Sequence, residues 1–309
     1  EDVRTDAPVA PQVSLYVTFA LSVQKSWQVG SFDVKDAFLS GRENTRELYV
    51  RPPKEGIKGL PDGVLIQLVK GVFGLKESPR LWWLQLRDAI LEAGFEELRS
   101  VPGTFVIRSK KDTKCRGMLC VHVDDGIWAG EGPEFHEAQR KLRKLINVKV
   151  KKAEILKFWD DESYKLQGIR VDQWDYLKKL KPVPVAKARK QRADATLTPG
   201  ERTQFLSLTA QLAWPARTTI PALAYLVSDL QQRVADAKVS DLVRANWVLK
   251  KAQELGRAGD CLWFRRNPIE ENQIMVLGVH DASFARQPQG GSQQGFLVMI
   301  TSEEVLKIP

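Results

Sequence analysis

Apolar positions follow two periods along this chain, and the changes between them mark out its elements. Val13, Tyr16, Val17, Ala20 and Leu21 recur at helical spacing, which predicts a helix over 13–23. From Trp27 to Val34 the pattern turns strand-like, with Asp33 at its end. Short strands are expected at 48–50 and 64–69, with a Gly- and Pro-rich loop from Gly56 to Gly63 between them. Ser78-Pro79 opens a helix, since proline at the first helical position forfeits no needed N–H. Trp82, Leu86, Ala89, Ile90 and Ala93 give that helix one apolar face, and Gly94 suits its stop. Strands follow at 104–108 and 118–123. An amphipathic helix through Phe135, Ala138, Leu142 and Leu145 is expected beneath the sheet, and 164–171 reads as a further hairpin arm.

The stretch 181–192 is rich in Pro and Lys and poor in large apolar groups, so it reads as a linker or an exposed basic loop. Helices are predicted beyond it at 199–214, 221–234 and 241–255, the last stopped by Gly256. Strand patterns return from Cys261 to Ile300, clearest at 278–282 and 295–300.

One apolar run carries charge. Between Met118 and Ala129 stand two adjacent carboxylates, Asp124 and Asp125, followed by Gly126. Asp-Gly supplies hairpin-turn geometry, so both acids are expected at the tip of a tight β-hairpin. Carboxylates in such a setting are costly to bury unless something positive meets them, and a divalent cation would serve. The bland alternative is a solvated turn. Asp33 changes that weighing. If its strand lies beside the hairpin, Asp33 and Asp124 face one metal site. Two-metal phosphoryl transfer uses such an arrangement, with ions about 3.5–4 Å apart.

Composition narrows the partners. Over 309 residues, 47 Lys and Arg against 38 Asp and Glu leave a formal charge of +9, which favours an anionic partner, nucleic acid being the commonest. Basic residues crowd from Arg140 to Arg192, interleaved with Trp159, Tyr164, Trp174 and Tyr176, which can stack on bases or serve as core. Three cysteines without paired spacing point to a reducing compartment and away from zinc. The longest apolar runs are too short to span a bilayer and no secretory signal opens the chain, so neither a membrane partner nor secretion is expected.

Taken in order, the motifs resemble a known family. The stretch Phe32 to Gly41 (FDVKDAFLSG), then Leu48 to Pro53 (LYVRPP), Val69 to Trp83 (VKGVFGLKESPRLWW) and Val121 to Gly126 (VHVDDG) resemble the polymerase motifs of a copia-type LTR-retrotransposon reverse transcriptase. Residues 166–171 resemble the segment after the active-site hairpin, and 205–231 the helical stretch before the ribonuclease H domain. Residues 276–285 with 290–300 resemble the first two strands of that domain.

The resemblance implies an α+β fold, that of a right-hand polymerase. An antiparallel palm sheet with packed helices and partial fingers would occupy 1–172. A mostly helical thumb and connection, with a basic linker, would occupy 173–260, and truncated ribonuclease H-like strands 261–309. It implies an RNA-directed DNA polymerase acting on dNTPs and an RNA or DNA template with primer. Two Mg2+ ions, or Mn2+ in their place, would assist. The location would be the cytoplasm, a virus-like particle or the nucleus. The fingers segment that grips the triphosphate would lie before residue 1.

Carried onto this sequence, the catalytic and metal-binding acids fall on Asp33, Asp124 and Asp125, with Asp33 and Asp124 holding both ions and Asp125 mattering less directly. The carbonyl of Val34 would be a further ligand. Phe38 falls on the aromatic residue beneath the incoming sugar, where a ring collides with a 2′-hydroxyl, and ordinary core packing is the alternative. Asp36 would make a local or nucleotide-side contact. Gly74 and Lys76 fall on the motif packed against the nascent base pair, although Lys76 equally suits a loop that only caps the next helix. His122 stands near the primer end where the family usually has tyrosine. Gln167 and Gly168 fall on the primer-holding hairpin, and Asp281 on the first carboxylate of a ribonuclease H site, inert alone. Two other readings stay open: a catalytically inactive remnant that only binds nucleic acid, and an unrelated Mg2+-dependent phosphotransferase with no use for Phe38.

Overall fold

Alternating apolar residues build a six-stranded sheet in which every neighbouring pair runs antiparallel. The computed structural model describes residues 5–61, 63–146, 148–151, 157–161, 166–266, 273–283 and 292–303. They fall into two units, 1–169 and 170–309.

In chain order the first unit holds α1 (Gln12–Lys25), β1 (Gln28–Val34), a 3-10 turn (Ala37–Ser40), β2 (Tyr49–Val50), β3 (Ile66–Gln67) and α2 (Ser78–Glu92). It continues with β4 (Glu96–Glu97), β5 (Thr104–Arg108), β6 (Cys115–His122), β7 (Asp125–Gly130), α3 (Gly132–Leu145), β8 (Val148–Lys151), β9 (Lys157–Asp161) and β10 (Leu166–Val171), whose last residues begin the second unit. Strand order is β4-β5-β6-β7-β1-β8, with β2–β3 a separate ribbon and β9–β10 in a further small sheet. The strand predicted at 64–69 contracts to the two residues of β3.

Strand periodicity assigns each face a core. Phe32, Val34, Phe105, Ile107, Leu119, Val121 and Trp128 point one way, onto Trp82, Trp83, Leu86 and Ile90 of α2 and Phe135, Ala138 and Leu142 of α3. Burying one such side chain contributes about 1.5–3 kcal/mol. The other face carries Val106, Met118 and Ala129, where α1 packs over β6 and β7. The start of α2 differs from expectation. Ser78 does not cap it; its hydroxyl donates to the Val72 carbonyl at 2.7 Å, and no side chain caps the first turn. Buried Glu77 takes the cap position, held by Arg46 Nη2 at 2.6 Å.

In the second unit α4 (Trp174–Leu177) and α5 (Lys187–Lys190) precede α6 (Pro199–Thr218), α7 (Ala224–Gln232), α8 (Val239–Ala258), β11 (Leu262–Arg265) and the hairpin β12 (Met275–Ser283)–β13 (Gln293–Thr301). Thr198 and Glu201 form a capping box at the head of α6. Phe205, Leu208, Leu212, Leu230, Leu242 and Leu249 fill the core, with Trp174 and Tyr176 packed on it. Two of the four aromatics set among the basic residues are thus core residues; Tyr164 lies outside the described residues. Gly256 is not the helix stop. It sits inside α8, where an added Cβ would meet Leu177 at 3.0 Å, and Gly259, at φ +94°, ends the helix. Among the described residues no helix is long and apolar enough to cross a membrane.

Candidate active site

The acids meet because β1 pairs with β7. Their register runs from Gln28 opposite Gly130 to Asp33 opposite Asp125. It is fixed by bulk set into gaps. Phe32 lies over Gly126, where an added Cβ would come within 2.2 Å of its ring, and Trp128 lies over Gly30, where the distance is 2.4 Å. The two rings touch each other, centroids 4.8 Å apart. A slip by one residue would drive both rings to the wrong face.

Directly opposed residues share a face, so Asp33 and Asp125 point to the side opposite Phe32, and His122, opposite Asp125, joins them. On its other side Asp33 is in register with Lys149 of β8. Along this face α1 covers the half that carries Met118 and Ala129. Asp125 and His122 lie beyond that cover and are exposed, and Asp33 is half-buried. Like charges directly opposite one another destabilise a sheet, so this pair is not there for stability.

Asp124 lies in the turn. His122 and Asp125 close the hairpin, which leaves Val123 and Asp124 as its two central residues. The expected hairpin is present, but Asp125-Gly126 is not its turn: Gly126 belongs to the strand, as the seat of Phe32. The left-handed position falls on Val123, at φ +57°, where a β-branched side chain is strained by about 1–3 kcal/mol. Two outside donors hold the turn. The indole N–H of Trp82, in α2, donates to the Val123 carbonyl at 2.7 Å, and the Val34 amide donates to the Asp124 carbonyl at 2.9 Å.

A family described as Reverse transcriptase (RNA-dependent DNA polymerase) matches residues 2–197, well over half of the chain. The chain belongs to this reverse transcriptase family. It is 27% identical over 242 residues to the Retrovirus-related Pol polyprotein from transposon RE1 of Arabidopsis thaliana, covering 74% of this chain and 16% of that protein. The corresponding RE2 protein of the same plant is 28% identical over 243 residues, with the same coverage of each. The Transposon Ty1-JR2 Gag-Pol polyprotein of Saccharomyces cerevisiae is 22% identical over 331 residues, covering 94% of this chain and 18% of that protein. The chain thus spans about one-sixth of the curated relatives it matches, and its likeness to retrotransposon Pol proteins accords with the copia-type motif order.

The other expected residues lie on separate elements. Phe38, in the 3-10 turn after β1, is half-buried and meets Phe73 edge-on at 4.8 Å. Phe73 is 81% exposed, and sequence reasoning passed over it. Gly74 follows at φ +95°, and Lys76 is exposed. Asp36 is exposed with φ +56°, its carboxylate 3.7 Å from Lys35. Gln167 and Gly168 lie in β10, in a sheet other than the one that carries the acids. Asp281, in β12, accepts the Ala282 amide at 2.9 Å.

Among the described residues no group of three or more His, Cys, Asp or Glu side chains is placed so that it could hold a metal ion. The donors nevertheless suit a hard cation. Asp33, Asp124 and Asp125 are carboxylates gathered at one sheet end, the oxygen chemistry Mg2+ and Mn2+ prefer, and two of them are in direct cross-strand opposition.

Proposed function

We propose that this domain is an RNA-directed DNA polymerase that extends a primer along an RNA or DNA template with dNTPs. The observation that carries the reading is the register of Asp33 opposite Asp125 with Asp124 next in chain, which concentrates negative charge at the open end of the sheet. Asp33 and Asp124 would hold the ions, with the Val34 carbonyl as a further ligand and Asp125 supporting. When bound, two divalent ions would activate the primer 3′-hydroxyl and offset charge on the triphosphate.

The chain's own groups do the positioning. Phe38 lies beyond the end of β1 and would close the space beside the sugar, so that a 2′-hydroxyl collides with its ring. His122 shares the face of Asp125 and can stack or hydrogen-bond at the primer end. Gly74 and Lys76 would line the nascent base pair, Asp36 the nucleotide side, and Gln167 and Gly168 the primer. The first unit would act as palm with partial fingers, α6 to α8 as thumb and connection, and β12–β13, with Asp281, as the start of a ribonuclease H fold. The charge of +9 suits a polymerase, which grips phosphate and leaves sequence to base pairing.

Primer extension on an RNA template with Mg2+ tests this. Extension by the unaltered chain, lost in Asp33→Asn and Asp124→Asn, supports the reading. A folded chain that binds template and primer but adds no nucleotide overturns it and leaves a nucleic-acid-binding remnant.

A further inference from the structure

We infer that Trp82 is a positioning residue, whose indole N–H aims the Asp124 carboxylate at the cation it would share with Asp33. The inference rests on the polymerase reading above. It starts from the backbone of the turn. Trp82 donates to the carbonyl of Val123, which fixes the peptide plane between Val123 and Asp124. The Val34 amide donates to the carbonyl of Asp124, which fixes the plane between Asp124 and Asp125. The two dihedrals between those planes are the φ and ψ of Asp124. With both planes held, the direction of its Cα–Cβ bond is set, and one of the two holders is the residue that follows Asp33.

A donor is needed here because the turn does not hold itself. Val123 carries the left-handed φ that glycine usually supplies, and the central peptide of a two-residue hairpin turn can rotate to give another turn type. Trp82 is able to oppose that rotation. It is 1% exposed, packed in the core between α2 and the sheet, and in the second turn of a helix rather than on a loop. Its ring has one polar atom, and that atom meets the carbonyl at 2.7 Å. A tryptophan wanted for bulk alone does not need that alignment.

The test separates the N–H from the bulk. Trp82 is replaced, in the full chain, by benzothienylalanine, which keeps two fused rings but has sulfur in place of N–H. Trp82→Phe serves as a second variant. In the benzothienyl variant, amide exchange in peptides covering 119–127 should quicken about tenfold while peptides covering 83–92 keep their protection. Mn2+, followed by its electron paramagnetic signal, should bind more weakly. Primer extension should lose about tenfold to a hundredfold in kcat with the KM for dNTP little changed.

Equal loosening of both regions in the two variants would reduce Trp82 to a packing residue and overturn the inference, as would a benzothienyl variant that matches the unaltered chain in exchange and Mn2+ binding. If the unaltered chain extends no primer, the polymerase reading fails by itself, and the exchange measurement still decides whether Trp82 holds the turn.

Discussion

The ring of Phe32 rests on the bare backbone of Gly126, with its Cζ 2.2 Å from where a Cβ would stand. Phe32 cannot retreat, because it is 1% exposed and packed against Trp128. Gly126→Ala should therefore overpack the β1–β7 seam, at a cost of about 1–3 kcal/mol. A thermal melt of the variant checks the sign, and Phe32→Leu should recover part of the loss. An unchanged melting temperature in Gly126→Ala would count against the pairing of Phe32 with Gly126.

Acid should loosen the second unit at the head of α6. Arg189 and the Thr198 amide hold the Glu201 carboxyl down to about 2, from an ordinary 4.5. A depressed carboxyl adds stability that is complete above 4.5 and lost as pH falls through the range from 4.5 to about 2. Glu77, held down chiefly by Arg46, has the same sign in the first unit. Glu201→Gln should thus lower the melting temperature at neutral pH and flatten its fall in acid. A variant that declines in parallel with the parent would sink the assignment.

Asp229 ties α7 to α8. It is 2% exposed, with Arg233 at 3.1 Å and Arg244 at 2.9 Å from its oxygens. Removing one partner of a fully buried ion pair costs about 3–5 kcal/mol, but both arginines are about a third exposed and can turn to water. Asp229→Asn should therefore cost less, about 1–3 kcal/mol. Faster amide exchange confined to α7 and α8 is the expected reading, and exchange unchanged there would contradict it.

Phe38 gives a chemical test. In a polymerase, Phe38→Ala should raise use of ribonucleotides relative to deoxynucleotides by about tenfold to a hundredfold. Phe73→Ala should do so more weakly, since Phe73 only backs the ring of Phe38. Competing incorporation on one template measures both. Unchanged sugar preference in Phe38→Ala would leave Phe38 as core.

Residues read mostly by periodicity were legible. Strands β1, β5, β6 and β7, the face of α2, α3 and the helices α6, α7 and α8 follow from the spacing of apolar positions, whereas β4 and β8 were not read from it. What was not legible depends on distant partners. The hairpin turn centres on Val123-Asp124 rather than on Asp125-Gly126, because Trp82 and Val34 hold the strained conformation from outside and Phe32 needs the glycine in the strand. Gly256 continues a helix because Leu177 and Trp174 press on it, and nothing in its neighbours announces them. Asp33 was expected to face Asp124; its register partner is Asp125, and Lys149 stands on its other side. The order of residues in one strand carries no record of which strand will lie beside it.

The pairing of β1 with β7 also bears on when the chain becomes competent during synthesis. Asp33 leaves the ribosome well before its counterpart, which follows only after all of β2 to β6 has been translated, and contacts so far apart in sequence form slowly. Until the chain has reached Gly130 the full β1–β7 register cannot form, and Asp33 stands as an isolated carboxylate with no acid opposite it.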